Sequence, residues 1–186
     1  MSRRLVVLTD RTQVPAGRTL REVLAASADA GLTTVLLREL DLPDVERARI
    51  AEHARAAGLE VVAAHRAVPG CSGVHLPSAA PAPGFPTRWG RSCHRRADVT
   101  ASAVDGAWWA TLSPYAVTRS KPGHGPPLPP TAWTGLPLSV YALGGITPDN
   151  AAAARGAGAW GVAVMGAVMR AEDPAAVVAA LIEAVR

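Results

Sequence analysis

Cysteine is scarce in this chain. Cys71 and Cys93 are the two it has among 186 residues, and they have no ligand-like spacing. They exclude a disulfide framework and are expected as reduced thiols. Long apolar runs are also missing: none reaches the roughly 18 residues that a membrane-spanning helix requires. The opening Met-Ser-Arg-Arg is not followed by a long hydrophobic segment and cleavage site, so a soluble, cytoplasmic protein is expected. Charge is sparse, at 18%, whereas hydrophobic residues make up 49%, which argues against disorder and for one substantial core. The length fits a single domain, and neither an internal repeat nor an inter-domain linker interrupts it. The formal net charge of +4 comes partly from clusters such as Arg91, Arg95 and Arg96. No aromatic or basic stripe of a nucleic-acid module accompanies them, so neither nucleic acid nor membrane is expected as a partner. An anionic small molecule accounts for the same excess.

The most informative stretch runs from Leu138 to Met165. An apolar run to Leu143 is followed by Gly144 and Gly145, by Thr147 as a helix cap with Pro148 at the first helical position, and by a second apolar run from Gly161 to Val164. This is one βαβ unit, whose Ala-rich helix must pack on a parallel sheet. Gly144 and Gly145 fall at the carboxyl end of one strand, and Gly166 follows the next. Two neighbouring strand ends with bare backbone form a candidate phosphate cup, with a tight turn as the alternative.

The rest of the chain repeats the pattern. Strands are expected at 5–9, 33–38, 60–64, 73–76, 89–92 and 107–112. Helices are expected at 19–30, from Asp41 and Pro43 to 57, at 98–104 and at 173–185. Residues 79–86 and 113–130 are proline-rich loops. Eight strands, each followed by a helix or an irregular link, give the expected fold class: α/β, a single short (β/α)8 TIM barrel with some helices truncated.

Seven segments carry a resemblance. Leu-Thr-Asp at 8–10, Leu-Leu-Arg-Glu at 36–39, Gly-Val-His-Leu at 73–76, Gly-Arg-Ser-Cys-His at 90–94, Thr-Arg-Ser-Lys at 118–121, Leu-Gly-Gly-Ile-Thr-Pro-Asp-Asn from 143 and Gly-Val-Ala-Val-Met from 161 resemble the thiamine-phosphate synthase and thiazole tautomerase superfamily. The resemblance implies a barrel with its site at the carboxyl ends of the strands and a thiazole phosphate in the glycine cup. Synthases of this kind hold Mg2+ on two Asp residues, one in an Asn-Asp-Arg motif and one after Gly-Val-His-Leu. The corresponding stretches here are Ala64-His65-Arg66 and Pro77-Ser78-Ala79-Ala80, and the lysine of Arg-Glu-Lys is Leu40. Leu-Pro-Ser, Gly-Arg-Ser-X-His and Ala-Val-Met resemble the tautomerase branch more closely. That branch also keeps a histidine just past the sixth strand, where this chain has Ser113-Pro114-Tyr115, with the proline of the synthases.

The expected function is therefore a tautomerase-like, metal-free proton transfer on a carboxylated thiazole phosphate. One alternative is a thiamine-phosphate synthase joining hydroxymethylpyrimidine diphosphate to thiazole phosphate; another is a catalytically silent barrel that binds a phosphorylated ligand. No cofactor is expected, with Mg2+ implied only by the synthase alternative, and no metal ligand is assigned. A small phosphorylated thiazole is the expected partner, and a homodimer is compatible with the fold class. His65 and His94 are the candidate catalytic residues, against a carbonyl-bonded loop histidine for the first and a structural cap for the second. Arg38, Ser92, Thr118, Ser120 and Lys121 are candidate substrate-binding residues, with an Arg38–Glu39 ion pair and a solvated Lys121 as the competing readings. Gly144, Gly145 and Gly166 are the candidate phosphate-binding residues. His75 is expected in the core, His53 in solvent, and Cys93 is not expected to be a nucleophile.

Overall fold

The computed structural model describes residues 4–117 and 126–186. Eight strands close into a barrel in sequence order: β1 (Leu5–Leu8), β2 (Thr34–Leu37), β3 (Glu60–Ala64), β4 (Gly73–Leu76), β5 (Trp89–Cys93), β6 (Trp109–Leu112), β7 (Ser139–Leu143) and β8 (Gly161–Val164). All neighbours are parallel, and Leu5 pairs with Val162 to close the ring.

Alternation along the strands separates two cores. Val7, Val35, Leu37, Val61, Ala110, Val140, Ala142, Val162 and Val164 face outward into the layer shared with the helices. Leu8, Leu36, Val62, Ala64 and Ala163 fill the lumen. The described helices are α1 (Leu20–Asp29), α2 (Asp44–Ala56), α3 (Arg96–Val104), α4 (Pro148–Gly156), the one-turn α5 (Gly166–Met169) and α6 (Pro174–Ala184). α1 begins where Thr19 and Glu22 cap each other reciprocally, an arrangement that satisfies orphan amides at a helix start.

Residues 65–72 and 77–88 contain no helix, so the barrel is thinly covered over β4 and β5. There Val74, Leu76, Trp89 and Ala107 form a small core of their own, with Ala80 and Leu138 packed against it. The expected barrel and its truncated links are thus present, and element edges shift by a few residues. β6 begins at Trp109 because Trp108 lies outside, 60% exposed, with the Arg88 guanidinium 5.1 Å from its ring centroid. α3 begins at Arg96, before Asp98, because the Asp98 carboxylate turns back to accept the amides of His94 and Arg95. α2 begins at Asp44, after Pro43. No described helix is long and apolar enough to cross a membrane.

Candidate active site

The exits of all eight strands open on one rim. At the first two exits, the Thr9 hydroxyl accepts the Arg38 amide at 2.9 Å, which ties the end of β1 to the end of β2. Arg38 does not pair with Glu39. The buried Glu39 carboxylate accepts the amide and guanidinium of Arg11, and Arg11 also grips Asp41 through two bonds of 2.8 and 2.6 Å. The Arg11 guanidinium holds Asp41 down at about 2. Arg38 stays 35% exposed, with its Nη1 4.0 Å from Asp10 Oδ2. Burial alone would raise the Asp10 carboxyl, but hydrogen bonds from Thr12 and Gln13 and the charge of Arg38 hold it below its ordinary value.

Beneath this rim lies a residue that the sequence reading missed. Arg47 of α2 is fully buried and donates to the carbonyls of Ala64 (2.7 Å) and Leu37 (3.3 Å). It satisfies both strand ends and fixes where Arg38 and His65 leave the barrel. The only advance signal was an arginine on the helix's inward face.

His65 follows β3 with φ at +67°, its amide donating to the His75 carbonyl at 2.8 Å and its side chain exposed. A non-glycine residue in the left-handed region is uncommon and turns the chain sharply. His94 follows β5. Its Nδ1 lies 3.1 Å from Ser113 Oγ and 3.3 Å from the Ser113 carbonyl, so the ring leans across to the exit of β6. It does not cap α3; the Asp98 carboxylate does that. Ser92, half-buried, is one layer deeper.

At β7 and β8 the glycines stand where expected. Gly144 and Gly145 have φ of +94° and +68°, and a Cβ on Gly145 would come within 2.8 Å of the Ala116 carbonyl carbon. The segment after β6 packs so closely that only glycine fits. Tyr115 and Ala116 donate their amides to the carbonyls of Leu143 and Gly144, both at 2.9 Å. Asn150 of α4 fastens the turn from the other side: its Nδ2 donates to the Gly145 carbonyl at 2.8 Å, and its Oδ1 accepts the Thr147 amide at 2.9 Å.

Gly166 opens α5, and the Arg170 guanidinium covers the space a side chain would fill. Arg170 donates to the Gln13 side chain, and Gln13 donates to Asp10 at 2.7 Å. A polar chain therefore runs along the rim from Gly166 through Arg170, Gln13 and Asp10 to Arg38. Arg170 and Gln13 carry no motif, and only the closure of β8 on β1 brings them to the rim. Thr118, Ser120 and Lys121 lie outside the described residues.

The remaining polar candidates sit away from the rim. His53 bonds the Arg49 carbonyl on an exposed helix surface. Burial pushes the Cys93 thiol up, the opposite of what a nucleophile needs. Among the described residues no cluster of three His, Cys, Asp or Glu side chains could hold a metal ion. The rim can thus offer cations, hydroxyls, imidazoles and bare backbone, the set that suits an anionic ester attached to a polar ring.

Comparison with known proteins shows the family and the fold. A thiamine-phosphate synthase of Roseiflexus castenholzii is 33% identical over 94% of this chain and 85% of its own length. One of Moorella thermoacetica is 32% identical over 97% of this chain and 94% of its own. The solved thiamine phosphate pyrophosphorylase from Pyrococcus furiosus superposes with a TM-score of 0.81 at 22% identity, over 98% of this chain and 95% of that one, a likeness of fold. The two sequence relatives are named as synthases, and nothing in the likeness singles out the tautomerase branch. The family model described as thiamine monophosphate synthase matches residues 70–168, and the chain belongs to that family.

Proposed function

We propose that this protein is a thiamine-phosphate synthase, joining a pyrimidine diphosphate to a thiazole phosphate at the carboxyl-terminal rim of the barrel. The observation that carries the reading is likeness along nearly the whole chain to relatives bearing that name. Ser113-Pro114 after β6, the synthase form of that position, supports it. In this reading the thiazole phosphate sits on the backbone of Gly144, Gly145 and Gly166 beside Arg170, and Arg38 faces the diphosphate. Thr118, Ser120 and Lys121 complete the anion contacts, and Ser92 meets a ring.

Mg2+ does not fit the two places where such synthases hold it. His65 and the Ser78-Ala79-Ala80 segment offer no carboxylate, and Mg2+ takes hard oxygen ligands. The rim carboxylates Asp10, Glu39 and Asp41 are already bonded by Gln13 or Arg11. Charge on the departing pyrophosphate is met in this chain by Arg38 and Arg170. A second reading, the metal-free tautomerase, is favoured by one observation: the His94 ring reaches the exit of β6, beside the position of the tautomerase histidine. An imidazole at that place stands within reach of a ring bound over β6, where it can relay a proton.

One assay separates the readings. The protein is incubated with both substrate halves, with Mg2+ or with chelator, and separately with the carboxylated thiazole tautomer. Coupled product is expected from the two halves, with Arg38→Ala lowering its rate by at least about tenfold, as loss of a charged anchor does. No coupling, with an ultraviolet change on the tautomer that His94→Ala slows, establishes the second reading instead. Phosphate-ester binding with no turnover in either arm makes the barrel a silent binder.

A further inference from the structure

The lumen holds a hydrogen-bond relay outside the set of anion contacts. His75 is buried, 4% exposed, and points inward from β4. Its Nδ1 receives the indole N–H of Trp109 at 3.1 Å. Its Nε2 lies 3.2 Å from Ser92 Oγ and 3.2 Å from Thr111 Oγ1. The Trp109 ring reaches this place because β5 has Gly90 opposite it; a Cβ on Gly90 would occupy the indole.

The direction of every bond in this relay follows from chemistry. An indole nitrogen only donates, so His75 Nδ1 accepts. Burial holds the imidazole neutral, driving its pKa down to about 3, so the one ring proton resides on Nε2. That proton is donated to the two hydroxyl oxygens. Neither hydroxyl has another partner among the described residues, so each keeps its own proton to give away. Thr111 is 5% exposed, whereas Ser92 is half-buried near the exit of β5. Ser92 is therefore the outlet.

We propose that Trp109 and His75 are positioning residues: together they make the Ser92 hydroxyl a hydrogen-bond donor, which selects a ring with a lone-pair nitrogen at the rim over a ring lacking one. The identity of that ring, an aminopyrimidine, rests on the synthase reading; the direction of the relay does not.

Two measurements test it. Long-range proton–nitrogen correlation on 15N-labelled wild type at pH 7 is expected to show His75 protonated on Nε2 and bare on Nδ1. A proton on Nδ1, or a cationic ring, overturns the relay. In calorimetric titration, wild type is expected to bind hydroxymethylpyrimidine diphosphate about tenfold tighter than its isostere with CH in place of ring nitrogen, the scale of one unmade hydrogen bond. Ser92→Ala, His75→Leu and Trp109→Phe are expected to reduce that preference to below about threefold, with inorganic phosphate affinity unchanged. His75→Gln, whose amide can accept from Trp109 and donate to the hydroxyls, is expected to retain it. Full preference in both Trp109→Phe and His75→Leu overturns the proposal, as does equal binding of both rings by wild type. Failure of wild type to bind either diphosphate overturns the synthase reading instead, and the nitrogen spectrum then decides the relay by itself.

Discussion

His75 shows how a single buried group makes the fold sensitive to pH. Its folded pKa of about 3 lies below the ordinary 6.5, chiefly through burial, with His65 adding repulsion. Between those values the unfolded chain binds a proton that the folded chain refuses. The contribution is therefore intact above about pH 6.5 and is lost as pH falls towards 3, by up to about 1.4 kcal/mol per unit. Urea denaturation at pH 7 and pH 5 should show the midpoint falling in wild type, with a smaller fall in His75→Gln. An unchanged slope in the variant would assign the acid sensitivity elsewhere. His75 was legible as a core histidine, because Gly-Val-His-Leu reads as a buried strand. Its partners were not, because Ser92, Trp109 and Thr111 lie 17 to 36 residues away and meet it only across a closed lumen. Arg38 was legible as a rim residue for the same local reason. That it stays clear of Glu39 depends on Arg11 reaching from the exit of β1 to Glu39 and Asp41, a side-chain direction that strand order does not reveal.

The glycine turn between β7 and α4 works as a joint between two elements. Its carbonyls are taken by the segment after β6 and by Asn150, and that side chain also receives the Thr147 amide. Asn150→Ala leaves two backbone groups at the helix start without their partners, which costs about 1 kcal/mol, with a range of roughly 0.5–2. Thermal unfolding should show that loss. Inorganic phosphate affinity, followed by calorimetry, should fall by several-fold as the turn loosens. Undiminished phosphate binding in a folded Asn150→Ala protein would place the anion away from this turn. Most elements were readable because β-rich runs and capped Ala-rich helices alternate so regularly; β3, β4 and β8 begin and end at the expected residues. Two of the edges that moved belong to Trp108, an aromatic side chain lying outside the barrel, and to Asp98, a carboxylate folded back on its own helix start. In both cases a side chain's direction, invisible in a one-dimensional pattern, set the boundary.

At the scale of the whole molecule, the two ends of the barrel differ. The rim carries the candidate chemistry. The opposite half of the lumen holds a hollow, partly open to solvent, bounded by Val6, Leu36, Val62, Trp109 and Tyr141 with Glu60, Ser72 and Arg88 around its opening. Composition and strand count foretold a closed barrel, but not that its centre would be incompletely filled, since that depends on which side chains of different strands meet across the lumen. A folded form with internal void occupies more volume than its unfolded chain, so compression favours unfolding. Under hydrostatic pressure, tryptophan fluorescence should report a transition, and Thr34→Leu, which adds carbon to the wall of the hollow, should move it to higher pressure. A midpoint that does not move would mean that Thr34→Leu leaves the volume change of unfolding as it was. Pressure is thus a lever on this barrel that heat and denaturant, acting mainly through exposed surface, do not duplicate.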